Sequence, residues 1–94
     1  MISRLLGRSN VAVSAIGMGC WAIGSDWGKV DDAESLRALQ HALDLGVTFF
    51  DSSNAYGGGR SERLIGQALA NRREQVVIAT KFGYTINERT KGPQ

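Results

Sequence analysis

Ninety-four residues form one domain at most, and 11 Lys+Arg against 9 Asp+Glu leave a net charge of only +2, without the basic excess of a nucleic-acid-binding surface. At 43% hydrophobic and 21% charged the chain is neither disordered nor fibrous, and its uninterrupted apolar runs, such as Val76 to Ala79, fall far short of the ~20 residues of a membrane span. The single cysteine, Cys20, excludes an intrachain disulfide and fits a reducing, cytoplasmic setting.

Arg4 and Arg8 ahead of a short apolar stretch superficially imitate a secretion signal. Val11, Val13 and Ala15 alternate with Asn10, Ala12 and Ser14 as in a strand, however, and Gly17-Met18-Gly19 lacks the aliphatic residue of a lipoprotein signal. Residues 2–6 and 11–14 flank Gly7-Arg8-Ser9-Asn10 as the arms of a hairpin. Residues 15–19 read as a further short strand. From Asp31 the period becomes helical: Asp31 and Glu34 have the spacing of a capping box, Leu36, Leu39 and Leu43 form an apolar stripe, and Gly46 stands where the helix should close. A strand over 47–50 ends at Asp51, and a second helix begins at Ser61 with Leu64, Ile65, Ala68 and Leu69 on one face. Residues 76–80 form the next strand, ending at Lys81, and 85–94 are a polar loop.

Strand, helix, strand, helix, strand is the order of a parallel α/β sheet, and three such strands are too few for a finished fold. The sequence reads as the opening part of a larger domain. In parallel folds chemistry gathers at the carboxyl ends of strands, which Asp51 and Lys81 occupy. Neighbouring strands lie about 4.8 Å apart, so the two side chains can pair; a purely structural salt bridge satisfies the same positions. Tyr56, five residues past Asp51, lies close enough to join them. A neighbouring ammonium stabilises phenolate against its ordinary pKa of about 10 and makes the phenol a usable general acid.

Three blocks, RLLGRSNVAVSAIGMGCWAIG, FFDSSNAYGGGRSERLIGQAL and VVIATKFG, resemble the aldo-keto reductase superfamily in order and spacing. The resemblance implies that 1–94 is the N-terminal part of a single (β/α)8 TIM-barrel domain, plugged at its base by the hairpin and represented here by its first three strand units. It further implies NADPH-dependent reduction of an aldehyde or ketone, with Tyr56 giving the proton and Asp51 and Lys81 supporting it. Gly19, Cys20, Trp21 and Asp51 are the expected NADP(H)-side residues, and Trp21, Trp27 and Tyr56 the expected walls of the carbonyl pocket. No metal is implied. The family's catalytic histidine belongs to a later strand, and His41, upstream of Asp51 in a helix, cannot replace it. Completion by a complementary C-terminal polypeptide is therefore expected. A regulatory or binding subunit of the same fold, or an inert fragment, is the alternative.

Two glycine motifs invite other readings. Gly17-Met18-Gly19-Cys20-Trp21-Ala22 matches a dinucleotide fingerprint, but that motif must open a helix, and the glycines that follow predict irregular chain up to Asp31. Gly57-Gly58-Gly59-Arg60-Ser61 lacks the lysine of a P-loop and reads as a flexible turn.

Overall fold

The computed structural model describes residues 1–24 and 31–83. Strands β1 (Ser3–Leu5) and β2 (Ala12–Ser14) pair antiparallel as the opening hairpin. Gly7 and Asn10 turn its loop at φ of 57° and 60°, and the Ser9 hydroxyl donates to the Leu6 carbonyl. Then come β3 (Gly17–Gly19), α1 (Asp32–Asp44), β4 (Phe49–Asp51), α2 (Arg60–Leu69) and β5 (Val77–Ala79), with β3, β4 and β5 forming a parallel sheet in that order. No helix among the described residues is long and apolar enough to cross a membrane.

The register divides the sheet into two faces. Met18, Phe50 and Ile78 stand side by side in the middle row, and the twofold alternation of a strand turns this row toward the helices. Phe50 is fully buried among Leu39 and Leu43 of α1 and Leu64, Ile65, Ala68 and Leu69 of α2. Gln40 adds a hydrogen bond to the Ala68 carbonyl across the helix pair.

Asp31 caps α1 by accepting from the Ala33 N–H, one residue earlier than in a full capping box, and Gly46 closes the helix at φ 100°. The expected stripe shifts slightly: Leu39 and Leu43 are buried, Leu36 is partly buried, and Ser35 joins the buried face. The second helix starts at Arg60 after Gly59, one residue before the expected Ser61. Alternation in the hairpin also differs from expectation, since Val11 and Ala15 are exposed while Val13 and Ser14 are buried.

Residues in the other two rows, Gly17, Phe49 and Val77 and then Gly19, Asp51 and Ala79, share the opposite face. The Phe49 ring crosses Gly17 so closely that a Cβ there would lie 2.8 Å from it. A cavity of about 450 Å³ opens between this face and the hairpin residues Leu5 and Val13. The hairpin is tied to the entry of β4 by a reciprocal pair: the Ser14 N–H donates to Thr48 Oγ1 and the Thr48 N–H to Ser14 Oγ, both at 2.9 Å. It therefore sits at the amino end of the strands and leaves their carboxyl ends open.

Thr48→Val should remove the acceptor for the Ser14 N–H while keeping the β-branched shape. Denaturant unfolding should show a loss of about 1–3 kcal/mol, and unchanged stability would mean that the reciprocal pair does not anchor the hairpin.

Candidate active site at the carboxyl ends of the strands

Asp51 ends β4 on the open face, and Lys81 follows β5 by two residues on the same side of the strand alternation. The Lys81 ammonium donates to Asp51 Oδ1 at 3.0 Å, to the Ser52 carbonyl at 2.8 Å and to the Tyr56 hydroxyl at 3.4 Å. It also lies 5.1 Å from the centre of the Tyr56 ring. The hydrogen bond to Asp51 raises the Lys81 pKa above its ordinary 10.5, outweighing slight desolvation, and the bond to Tyr56 adds to the rise. Lys81 is thus a cation throughout the neutral range. Because its folded pKa is raised, its stabilising contribution is complete below 10.5 and disappears as pH climbs through the folded value. Both side chains are nearly half exposed, at 46% and 48%, so the pair contributes at most about 1 kcal/mol to stability; its main consequence is positional.

Tyr56 is placed by the loop after β4. Its N–H donates to the Ser53 carbonyl, and the Ala55 N–H donates to Ser53 Oγ. A 3-10 turn over Tyr56–Gly59 follows, with Gly57, Gly58 and Gly59 at φ of 63°, 67° and 101°. The turn expected to be flexible is instead wedged against the loop after β3: a Cβ on Gly57 would fall 1.9 Å from the Gly24 carbonyl oxygen. Backbone packs directly on backbone there, and the junction brings Trp21 to Tyr56 with ring centres 6.4 Å apart and planes tilted by 39°. Trp21 remains 47% exposed.

Gly19 sits opposite Asp51, and a Cβ built on it would meet nothing within 4 Å. Open space therefore adjoins the carboxylate. Cys20 is different, because its thiol is fully buried in the core and donates to the Met18 carbonyl at 3.5 Å. Burial, with the Asp51 charge assisting, pushes its pKa up to about 11. Cys20 presents only backbone to the strand ends, its N–H donating to the Asp51 carbonyl. Trp27 lies outside the described residues, and His41 is exposed on α1.

The dinucleotide-fingerprint reading does not fit. The chain after Trp21 makes a 3-10 turn over Ala22–Gly24, and the next helix among the described residues is α1 at Asp32, so no α-helix among the described residues opens on the Gly17–Ala22 motif. Sequence reasoning missed the Gly24–Gly57 junction and a buried serine pair, Ser52 and Ser61, whose hydroxyl oxygens are 2.8 Å apart. The juxtaposition of Gly-rich segments after successive strands is the signal for the first. Small polar residues at a strand end and a helix start are the signal for the second.

Residues 15–93 match the model of the aldo/keto reductase family. The chain belongs to the aldo/keto reductase family. The uncharacterized oxidoreductase YqkF of Bacillus subtilis (strain 168) is 34% identical over 92 residues, covering 98% of this chain and 28% of that protein. The aldo-keto reductase yakc [NADP(+)] of Schizosaccharomyces pombe is 42% identical over 83 residues, covering 86% and 24% respectively. The holo form of aldo-keto reductase AKR11C1 from Bacillus halodurans superposes with a TM-score of 0.85 at 32% identity, covering 98% of this chain and 29% of that one. This aldo/keto reductase chain thus spans about a quarter to three tenths of the length of these relatives. Its fold is the hairpin and first three strand units of the family's (β/α)8 barrel.

Gly57→Ala should lower the thermal midpoint by several degrees through left-handed strain and the clash with Gly24, whereas Gly19→Ala should leave it unchanged. Equal midpoints for the two variants would contradict the junction. Cys20 in the folded protein should resist alkylation at pH 8 and react once denatured, as a mass shift of its peptide would show; fast native labelling would contradict its burial.

Proposed function

We propose that this segment is the proton-donating side of a cytoplasmic NADP(H)-dependent reductase of aldehydes or ketones, with 1–94 as the N-terminal part of one barrel domain. The observation that carries the reading is one ammonium, Lys81, hydrogen-bonded to both Asp51 and the Tyr56 hydroxyl at the open ends of the strands. Tyr56, whose hydroxyl accepts from Lys81 and so keeps its own proton to give, is the acid. It donates that proton to the substrate oxygen as negative charge develops there, and the Lys81 cation beside it stabilises the resulting phenolate. Asp51 balances and orients Lys81 through their 3.0 Å bond.

Gly19, beside open space next to Asp51, would hold the nicotinamide together with Asp51, the Cys20 backbone and Trp21. When bound, the nicotinamide supplies the hydride that reduces the carbonyl carbon. The half-exposed Trp21 ring beside Tyr56 offers an apolar wall to the substrate. The name of the yeast relative, which carries NADP(+), supports the choice of cofactor.

The full site needs the rest of the barrel. Leu5, Ile16 and Phe82 are exposed, Phe82 at 94%, and β3 and β5 each have one partner among the described strands. A complementary C-terminal polypeptide is the partner this surface fits, supplying the remaining strands, the histidine and most of the cofactor cradle.

In the complete barrel, Tyr56→Phe should lower kcat about 10²–10⁴-fold while NADPH affinity, read by fluorescence titration, stays near wild type. Lys81→Met should behave similarly. Near-wild-type turnover in Tyr56→Phe would remove it from the role of acid.

A further inference from the structure

We infer that Ser61 is a positioning residue for the reaction, acting through a buried hydroxyl relay that fixes where Lys81 meets Tyr56. The inference rests on the reading of Lys81 and Tyr56 given above. Ser52 and Ser61 are both fully buried. Ser61 Oγ donates its one proton to the Cys20 carbonyl at 2.8 Å, so at its other contact, 2.8 Å from Ser52 Oγ, it accepts and Ser52 donates. The direction is fixed: Ser52 hydroxyl to Ser61 hydroxyl to Cys20 carbonyl.

The relay joins the first turn of α2 to the ends of β3 and β4. Ser52 is also the residue whose carbonyl accepts from Lys81 Nζ at 2.8 Å, a shorter contact than the 3.0 Å to Asp51. Its N–H donates at 2.7 Å to the carbonyl of Ala79, the last residue of β5. Ser52 is therefore held on its backbone by β5 and on its side chain by α2, and Lys81 rests on that fixed carbonyl. The Lys81–Tyr56 contact is already long at 3.4 Å, so a small displacement of Ser52 breaks it. Removing the Ser61 hydroxyl leaves the Cys20 carbonyl and the Ser52 hydroxyl without their partners, two buried groups that relax only by moving the segment carrying Lys81's acceptor.

The expected signature is a loss in kcat with little change in KM, because the two serine hydroxyls are buried and touch neither cofactor nor substrate. In the complete barrel, Ser61→Ala should lower kcat about tenfold or more, with KM values for NADPH and carbonyl essentially retained. The control is Ser35→Ala. That hydroxyl is buried without a hydrogen-bond partner, so its removal should leave kcat and KM at wild type. A Ser61→Ala protein that melts earlier but keeps wild-type kcat, assayed where it is folded, would overturn the inference. If Ser61→Ala does not fold, Ser52→Ala decides, since the Ser61–Cys20 bond survives it: reduced kcat supports the relay and wild-type kcat overturns it. Tyr56→Phe run alongside separates the two levels. Full turnover in that variant would fail the reading of the acid itself, whereas a dead Tyr56→Phe with an unaffected Ser61→Ala would fail the relay alone.

Discussion

One ammonium organises the open end of this structure. Lys81 reaches the residue that ends β4, the backbone carbonyl next to it and the phenol of the following loop. Each acceptor constrains it differently: Asp51 supplies charge, Ser52 a fixed dipole and Tyr56 a phenol oxygen. Surface ion pairs contribute little to stability, and the value of this one is that it sets a cation within 3.4 Å of a phenol.

Packing divides the work between the faces of the sheet. Toward the helices, Phe50, Leu39, Ile65 and Leu69 are essentially sealed from water, which supplies the hydrophobic driving force and holds the strands in register. The other face carries Gly17, Gly19, Phe49 and Asp51 around a cavity. Gly17 accommodates the Phe49 ring, Gly19 leaves space beside Asp51, and Gly24 and Gly57 bring two loops into backbone contact. The apolar face is built for rigidity and the glycine-rich face for access.

Much of this was legible in the residues. Period 3.6 marked both helices, the strand ends marked Asp51 and Lys81, and five-residue spacing brought in Tyr56. Local patterns could state these because each depends on near neighbours in sequence or on strand geometry. The relay from Ser52 through Ser61 to Cys20 spans 41 residues at its longest step, and serines carry no periodic signature of such a contact. Cys20 shows the opposite difficulty: the family resemblance set it on the cofactor side, while strand alternation sends its thiol into the core. The exposure of Val11 and Ala15 has a related cause, since a short hairpin anchored through Ser14 and Thr48 does not bury a regular face.

A strand-end cluster of this kind either performs carbonyl reduction or only binds. NADPH oxidation by the complete barrel, followed in the presence of a panel of aldehydes and ketones with the product identified, tests this most directly. Carbonyl-dependent oxidation that yields the corresponding alcohol is the predicted result. Tight NADPH binding without turnover of any carbonyl would contradict it and mark a regulatory or binding subunit built on the same fold.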